Sequence, residues 1–473
     1  MKSENKNFLL NVVYQCLTYI FPLITVSYVS HVLGVENIGI YSYTYSIVYI
    51  FMLFGMMGIN NYGNRSVAKI RDDKNKLSIV FSTIYGLQLI LFFVTLVGYI
   101  VYICFFCKNY ILIATIQIIQ LISIAFDVNW FFFGIEKFKL TITRNLIIKL
   151  ISLVLIFVFI KDANDLWKYT LVMAISTLAS QLYLVLNLRR FVDVQRPKIK
   201  NCMAHLKGAL VLFIPVLAYS VYRVMDKTMM GFLSTMTELG CYENAERLIN
   251  IPIAIINALG TVMLPRMAYL IHNDSENYKK KIFESMRLAM ILATIMAFGL
   301  VLISDDICLL LFGEEFIKSG SIVKMLAITI ILSGWANVIR TQYLIPNELD
   351  RIYVVSTIGG ALVNLVLNSL LIGRYGSYGA CIGTIAAELF VMGYQTYRIR
   401  RDLRIKLYFK ELILSSFKSI IAVVVAWLIG GIVDNIVLRI VVEIVIAIVA
   451  FFILYYDFVV HEFFGLKRGI LKK

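Results

Sequence analysis

Charged residues are scarce in this chain. Lys, Arg, Asp and Glu make up only 16% of its 473 residues, whereas hydrophobic residues make up 60%. Soluble domains contain about 25% charged residues, and disordered or collagen-like chains contain far fewer apolar residues than this sequence. The composition therefore excludes a soluble globule, a disordered chain and a collagen, and it indicates an integral membrane protein.

Cysteine and histidine are also sparse, with seven and four residues. The cysteines are too few and too scattered for a disulfide scaffold. Cys104 and Cys107 have the spacing of a metal-binding pair, but no second pair and no histidine lies nearby, so we predict two small apolar residues at a helix end. No nucleophile stands beside a base. The sequence predicts no metal site, no cofactor and no enzymatic activity.

Long apolar runs, bounded by charged, glycine or proline residues, fill the chain. A helix that crosses the hydrocarbon core of a bilayer needs about 20 apolar residues, so the runs predict an all-α integral membrane protein with about 14 transmembrane helices. The runs lie at residues 8–33, 38–60, 78–103, 111–133, 146–160, 168–188, 208–233, 248–271, 286–312, 320–345, 352–373, 377–397, 412–433 and 436–460.

Basic residues collect in alternate connections between the predicted spans. Segments 65–76, 137–149, 189–207 and 398–410 are rich in Lys and Arg, whereas the connections on the opposite side hold few. Because cytoplasmic loops carry the excess of Lys and Arg, we predict that both termini are cytoplasmic. The formal net charge of +16 is then explained by anionic membrane lipids at the inner surface, and no nucleic-acid partner is expected.

An internal repeat is visible at an offset of 201 residues. Gly39-Ile40-Tyr41 follows the first span and Gly240-Cys241-Tyr242 follows the seventh, and Arg65 corresponds to Arg266. An offset of six helices returns the chain to the same side of the membrane, so we predict two parallel six-helix lobes around a central cavity. The predicted divisions are an N-terminal lobe at 1–200, a C-terminal lobe at 201–400, and two extra helices with a basic cytoplasmic tail at 401–473.

Three charged residues lie deep in the seventh predicted span. Arg223 is about 22 Å along the helix at 1.5 Å per residue, a depth from which snorkelling to the surface is difficult. Asp226 and Lys227 follow within one turn. A local pair between Arg223 and Asp226 would give the group a structural role. One acid with two bases instead leaves a net positive charge, which favours a cationic wall for an anionic substrate.

Further arginines are candidates for the same wall. Arg266 and Arg340 lie towards the inner ends of the eighth and tenth predicted spans, and Arg65 lies just outside the second. All three are near enough to the surface to snorkel, so a lining role and an interfacial role both remain open. If they converge with Arg223 and Lys227, their guanidinium groups suit the oxygens of a phosphate or pyrophosphate.

Acidic residues inside predicted spans form the second group of candidates. A carboxyl group in a low dielectric has a raised proton affinity, and it could couple transport to a proton or bind a cation. Asp226 belongs to this group. Asp127 fits better as a structural cap at the inner end of the fourth span, and for Glu388 ion coupling and structural pairing are equally open. Glu443 is another acid within a span.

Several motifs resemble one known family. Residues 32–41, VLGVENIGIY, resemble the LGxxxxGxY signature that follows the first helix of Wzx-type polysaccharide flippases, members of the multidrug/oligosaccharidyl-lipid/polysaccharide exporter superfamily. Further matches, in order, lie at 127–130, 134–138, 226–227, 230–231 and 240–242. The similarity extends over nearly the whole chain.

The resemblance implies two lobes around a cationic vestibule and no enzymatic activity. It implies transport of a polyprenyl-pyrophosphate-linked oligosaccharide across the bacterial inner membrane by alternating access, with glycosyltransferases and a polysaccharide polymerase as possible partners. Arg223 and the pair Asp226 and Lys227 are the strongest vestibule candidates, because they lie in or beside a matched motif.

Three rivals to this hypothesis differ in testable ways. A small-molecule or drug antiporter of the same superfamily should have an acidic cavity, whereas the deepest cluster here is basic. A membrane polymerase or ligase should have a sizeable outer loop with acid or base residues, and no outer connection is longer than about 15 residues by the span lengths above. A lipid II flippase would share the fold and differ only in cargo.

Overall fold

The computed structural model describes residues 2–456, and it describes the side chains of residues 23–456 except those at 138, 215, 218, 219, 221–223, 272, 275 and 276. Most of the described residues are helical, and this part of the chain contains no strand. Short 3-10 turns lie at Ile124–Phe126, Ala163–Asp165 and Glu314–Phe316, and a π-helical turn lies at Arg340–Leu344.

The helices alternate with short connections along the described range. They are α1 (Lys2–Met56), α2 (Ile59–Ala68), α3 (Lys74–Phe105), α4 (Ile111–Ile116), α5 (Ile118–Ser123), α6 (Asn129–Gly134), α7 (Phe138–Phe159), α8 (Leu166–Leu188), α9 (Ile199–Met203), α10 (Leu206–Leu233), α11 (Met236–Asn273), α12 (Ser275–Phe312), α13 (Ile317–Ile339), α14 (Asp350–Tyr375), α15 (Ser377–Ile399), α16 (Ile405–Gly430) and α17 (Ile436–Leu454).

Each predicted apolar run falls on a helical segment within residues 2–456. The first two runs are the two parts of α1, divided at Gly34, whose φ of 79° is not helical. Eleven segments of the described chain are long and apolar enough to cross a membrane; α1 and α2 are counted together, and α10 and α15 are not among the eleven. The prediction of an all-α, multi-pass membrane protein is confirmed.

The chain forms two compact units, Met1–Glu243 and Asn244–Lys473, so the boundary lies inside α11. In the first unit, α1 packs on α3, α7 and α10, and α2 packs on α3, α6 and α10. The fully buried Trp130 donates a hydrogen bond from Nε1 to Gln88 Oε1 at 3.0 Å. The predicted division at residue 200 marks the end of one sequence repeat, whereas the boundary after Glu243 divides the chain by packing. The predicted lobes therefore stay a prediction.

In the second unit, α12 packs on α13, α16 and α17, while α15 packs on α13 and α14. Trp335 is fully buried there and donates from Nε1 to Thr396 Oγ1 at 2.9 Å. On α17, Val437, Val441 and Val445 are exposed apolar residues at helical spacing. Such a face is typical of a helix that contacts lipid.

His205 attaches the start of α10 to two helices of the first unit. Its Nδ1 lies 2.8 Å from the hydroxyl of Tyr62 on α2, and its Nε2 lies 2.9 Å from the hydroxyl of Thr83 on α3. Burial lowers the pKa of His205 below its ordinary value of 6.5, because the imidazolium loses hydration. The folded protein therefore favours the neutral ring.

We expect acid to weaken this attachment. A lowered folded-state pKa means that the contribution to stability is complete above the ordinary pKa and is lost as the pH falls below it. Between about pH 7.5 and about pH 5.5, the range in which histidine titrates, the melting temperature of the wild-type protein in detergent should fall further than that of His205→Gln. An equal fall in both proteins would contradict the expectation.

Candidate functional site

The repeated Gly-x-Tyr motifs meet in one contact between α1 and the start of α11. A methyl group added at Gly39 would overlap the carbonyl oxygen of Met236, and one added at Gly240 would overlap the carbonyl oxygen of Val35. Only glycine permits two helix backbones to approach this closely. Gly39 corresponds to Gly240 and Val35 to Met236 at the offset of 201 residues, so the two halves of the contact are equivalent.

Two further features of this contact follow the same offset. Gly34 interrupts α1, and the corresponding Thr235 lies in the break between α10 and α11. Ser42 Oγ donates to Glu243 Oε2 at 2.7 Å, and these two residues are themselves 201 positions apart. Together with the reciprocal contacts of Gly39 and Gly240, this hydrogen bond shows that the two equivalent segments face each other. The predicted repeat therefore has a structural counterpart around residues 34–43 and 235–243.

Buried charged residues gather beside this contact. Glu243, which is 8% exposed, pairs with Lys227 through a distance of 2.6 Å between Oε2 and Nζ. Asp226, which is 5% exposed, accepts a hydrogen bond at 2.9 Å from the hydroxyl of Tyr242. Helix α10 and the start of α11 thus place two acids and a base in one cluster within the first unit.

Glu243 changes the charge balance that the sequence indicates. Asp226, Arg223 and Lys227 alone carry a net positive charge, but with Glu243 the formal charges of the four residues sum to zero. Hydropathy places positions 234–247 in an outer connection, whereas α11 begins at Met236 and buries Glu243. Its position 201 residues after Ser42 could have indicated it. The side chain of Arg223 lies outside the described residues, so its predicted role is not tested.

The other predicted basic residues are placed separately. Arg65 is exposed in the last turn of α2, and Arg266 is exposed on α11. Arg340 is partly buried at the start of the π-helical turn, with its guanidinium carbon 5.6 Å from the ring centre of Tyr353. Among the described residues, none of these three arginines forms an ion pair. Their convergence on one substrate stays a prediction.

A second polar cluster surrounds Asp127. Its Oδ1 accepts hydrogen bonds from the backbone N–H of Asn129 at 3.0 Å and from the Asn129 side chain at 2.7 Å, at the start of α6. Arg144 Nη2 donates to Asn129 Oδ1 at 3.1 Å, and Arg144 Nη1 donates to the Ser180 carbonyl oxygen at 3.1 Å. The cluster therefore connects α6, α7 and α8.

Arg144 corrects one sequence assignment. The sequence predicts a basic cytoplasmic connection at 137–149, but α7 begins at Phe138 and Arg144 is only 4% exposed. The fifth predicted span was short because a hydropathy window counts this arginine as a loop residue. Glu388 is partly buried on α15 and has contacts of its own. Ion coupling through Asp127, Asp226 or Glu388 stays a prediction.

Two known proteins are similar to this chain in sequence. A protein of Shigella dysenteriae named "Putative O-antigen transporter" is 26% identical over 394 residues, covering 82% of this chain and 98% of that protein. The "Probable low-salt glycan biosynthesis flippase Agl15" of Haloferax volcanii is 24% identical over 193 residues, or 41% of each protein.

A solved structure is similar in fold. The lipid II flippase MurJ, in an inward closed conformation, has a TM-score of 0.76 at 15% identity, covering 94% of this chain and 99% of that chain. At this low identity the likeness concerns the fold alone. The family of polysaccharide biosynthesis proteins matches residues 5–271, which is more than half of the sequence. The chain therefore belongs to the family of polysaccharide biosynthesis proteins.

Proposed function

We propose that this protein is a flippase that moves a polyprenyl-pyrophosphate-linked oligosaccharide repeat unit across the bacterial inner membrane by alternating access. The observation that carries the proposal is the similarity to a relative named as an O-antigen transporter, which extends over 98% of that relative. A sugar chain and a pyrophosphate need such a protein, because each unpaired polar group costs several kcal/mol in hydrocarbon.

Three of the candidate arginines are available to an anionic cargo. Arg65, Arg266 and Arg340 form no ion pair in the described part of the chain. A guanidinium group can bind two phosphate oxygens at once. We propose that these arginines bind the pyrophosphate together with Arg223 and Lys227, while the polyprenyl chain stays in the lipid.

Lys227 differs from these three arginines, because its ammonium group is already paired with Glu243. A cargo phosphate can replace Glu243 only if that carboxylate moves away or takes up a proton. Glu243 also accepts a hydrogen bond from Ser42 on α1. Competition between cargo and Glu243 for Lys227 would therefore connect cargo binding to the contact between α1 and α11.

The proposed cargo implies reactions before and after transport. Glycosyltransferases must build the sugar chain on the lipid carrier at the cytoplasmic face, and a polysaccharide polymerase must consume it at the outer face. With both termini in the cytoplasm, the basic segments 65–76 and 189–207 would meet anionic lipid headgroups at the cytoplasmic surface. The protein itself would transport the cargo without chemical change.

Vesicles containing the purified protein test the proposal. A fluorescent polyprenyl-pyrophosphate oligosaccharide is placed in both leaflets, and a membrane-impermeant reducing agent is added outside. We expect the protein to make the inner-leaflet label accessible, whereas protein-free vesicles keep it protected. Protection equal to that of protein-free vesicles would reject the proposal. Transport confined to labelled lipid II, or to a cationic dye, would identify one of the rival functions instead.

A further inference from the structure

Glu443 is a buried acid that the proposed transport mechanism does not use. It lies on α17, is 3% exposed, and packs against Gly430 of α16, where an added methyl group would overlap the Glu443 side chain. Its Oε2 has no hydrogen-bond partner within the described part of the chain. Burying an ionised carboxylate oxygen without a hydrogen-bond partner costs free energy. Its protonation state or its function must therefore explain why this carboxyl is buried here.

One side of Glu443 faces an apolar groove. The groove, of about 570 Å³, is formed by α11, α12 and α17, and Glu443 is the ionisable residue among its lining side chains, which include Ile255, Leu292 and Phe451. A carboxylate beside such a groove loses hydration on that side, whereas a neutral carboxylic acid is accommodated at much lower cost. The geometry therefore favours a bound proton on Glu443 in this conformation.

An ion pair lies close to the same carboxyl. Arg439, one turn before Glu443 on α17, donates from Nε to Asp306 Oδ2 at 2.6 Å and from Nη2 to Asp306 Oδ1 at 2.5 Å. Asp306 belongs to α12, so this bidentate pair ties α17 to α12. Arg439 and Asp306 are therefore charged neighbours of Glu443, and Asp434 lies in the connection before α17.

The spacing of these residues creates a competition for one guanidinium group. Residues four apart on a helix lie on the same face, so Arg439 is within reach of Glu443 as well as Asp306. With Glu443 protonated, Arg439 and Asp306 balance each other and the cluster is neutral. Loss of the proton to water leaves two carboxylates and one guanidinium, and the second carboxylate then attracts Arg439.

We propose that Glu443 is a proton-binding site within the membrane, and that its ionised form draws Arg439 away from Asp306. Proton binding then strengthens the tie between α12 and α17, and proton release weakens it. The O–H bond of the carboxylic acid breaks, the electron pair stays on the carboxylate, and the proton goes to water. The site does not depend on the identity of the cargo.

Labelling with dicyclohexylcarbodiimide tests the site directly, because this apolar reagent modifies protonated carboxyl groups in apolar surroundings. The full-length protein in detergent is treated over a range of pH, and modification is located by mass spectrometry. We expect labelling of Glu443 in acid that falls about tenfold per pH unit above its midpoint, as release of one proton requires. Glu411, which pairs with Arg287 at 3.3 Å, is the matched control and should stay unlabelled.

Two variants test the competition. Asp306→Asn removes the competing carboxylate, so the midpoint of Glu443 labelling should move to lower pH. Arg439→Gln removes the guanidinium group, so the midpoint should move to higher pH. Absence of Glu443 labelling in the folded wild-type protein at every pH would overturn the proton site, and this measurement needs no variant. An unchanged midpoint in folded Asp306→Asn would overturn the competition for Arg439.

Discussion

Replacing Gly240 by leucine should abolish most transport. The added side chain would meet the carbonyl oxygen of Val35, a backbone atom that cannot rotate away as a flexible side chain can. Overpacking a close contact costs about 1–3 kcal/mol, and here α1 and the start of α11 must separate to relieve it. We expect the rate of cargo flipping in vesicles to fall by at least about tenfold, since 1.4 kcal/mol corresponds to that factor.

The chain offers a matched control for this change. Gly393 lies within α15, and an added methyl group there would meet no atom within 4 Å. Gly393→Leu should therefore keep the wild-type rate, although it makes the same chemical change within a helix. Equal rates for Gly240→Leu and Gly393→Leu would show that the close contact between α1 and α11 is not needed for transport.

The helical fold could be predicted from the sequence because membrane spans are long, continuous apolar runs. The repeat could also be found, since the motifs around Gly39 and Gly240 conserve their spacing at an offset of 201 residues. Their direct contact was not predicted, because a repeat states which segments are equivalent and not which segments touch. The requirement for glycine comes from the carbonyl oxygens of Val35 and Met236, which lie against these positions in the folded chain and are not adjacent to them in sequence.

The candidate sites were harder to predict because hydropathy places polar residues in connections by default. Glu243 and Arg144 are both buried in helices, yet each lies in a segment that the sequence assigned to a loop. Their burial depends on partners that are distant in sequence. Glu243 meets Ser42 on α1, and Arg144 meets Asn129 and Ser180 on two other segments. No single window of sequence contains that information.

Removing one partner of the pair between Lys227 and Glu243 should be more damaging than removing both. The two side chains are only 21% and 10% exposed, and their charged atoms are 2.6 Å apart. A partner left behind loses the counter-charge 2.6 Å away while it stays largely shielded from water, which costs about 3 kcal/mol. We therefore expect Lys227→Met and Glu243→Gln each to lower the free energy of unfolding in detergent by about that amount.

The double variant should recover most of the lost stability, to within about 1 kcal/mol of the wild-type protein, because both charges of the pair are removed together. The glutamine side chain still offers an oxygen to the hydroxyl of Ser42. Lys74, which pairs with Asp193 at 3.2 Å on the same unit, provides a control for loss of an exposed lysine. Lys74→Met should change the free energy of unfolding by less than about 1 kcal/mol, as is typical of surface pairs.

Transport by the double variant separates a structural role of Lys227 from a cargo-binding role. If Lys227 binds the pyrophosphate, the stable double variant still lacks that positive charge, so its flipping rate should stay at least about tenfold below the wild-type rate. If the pair only fastens α10 to α11, stability and flipping rate should recover together. Recovery of both would remove Lys227 from the cargo site and leave Arg223, Arg65, Arg266 and Arg340 as the candidates that bind phosphate.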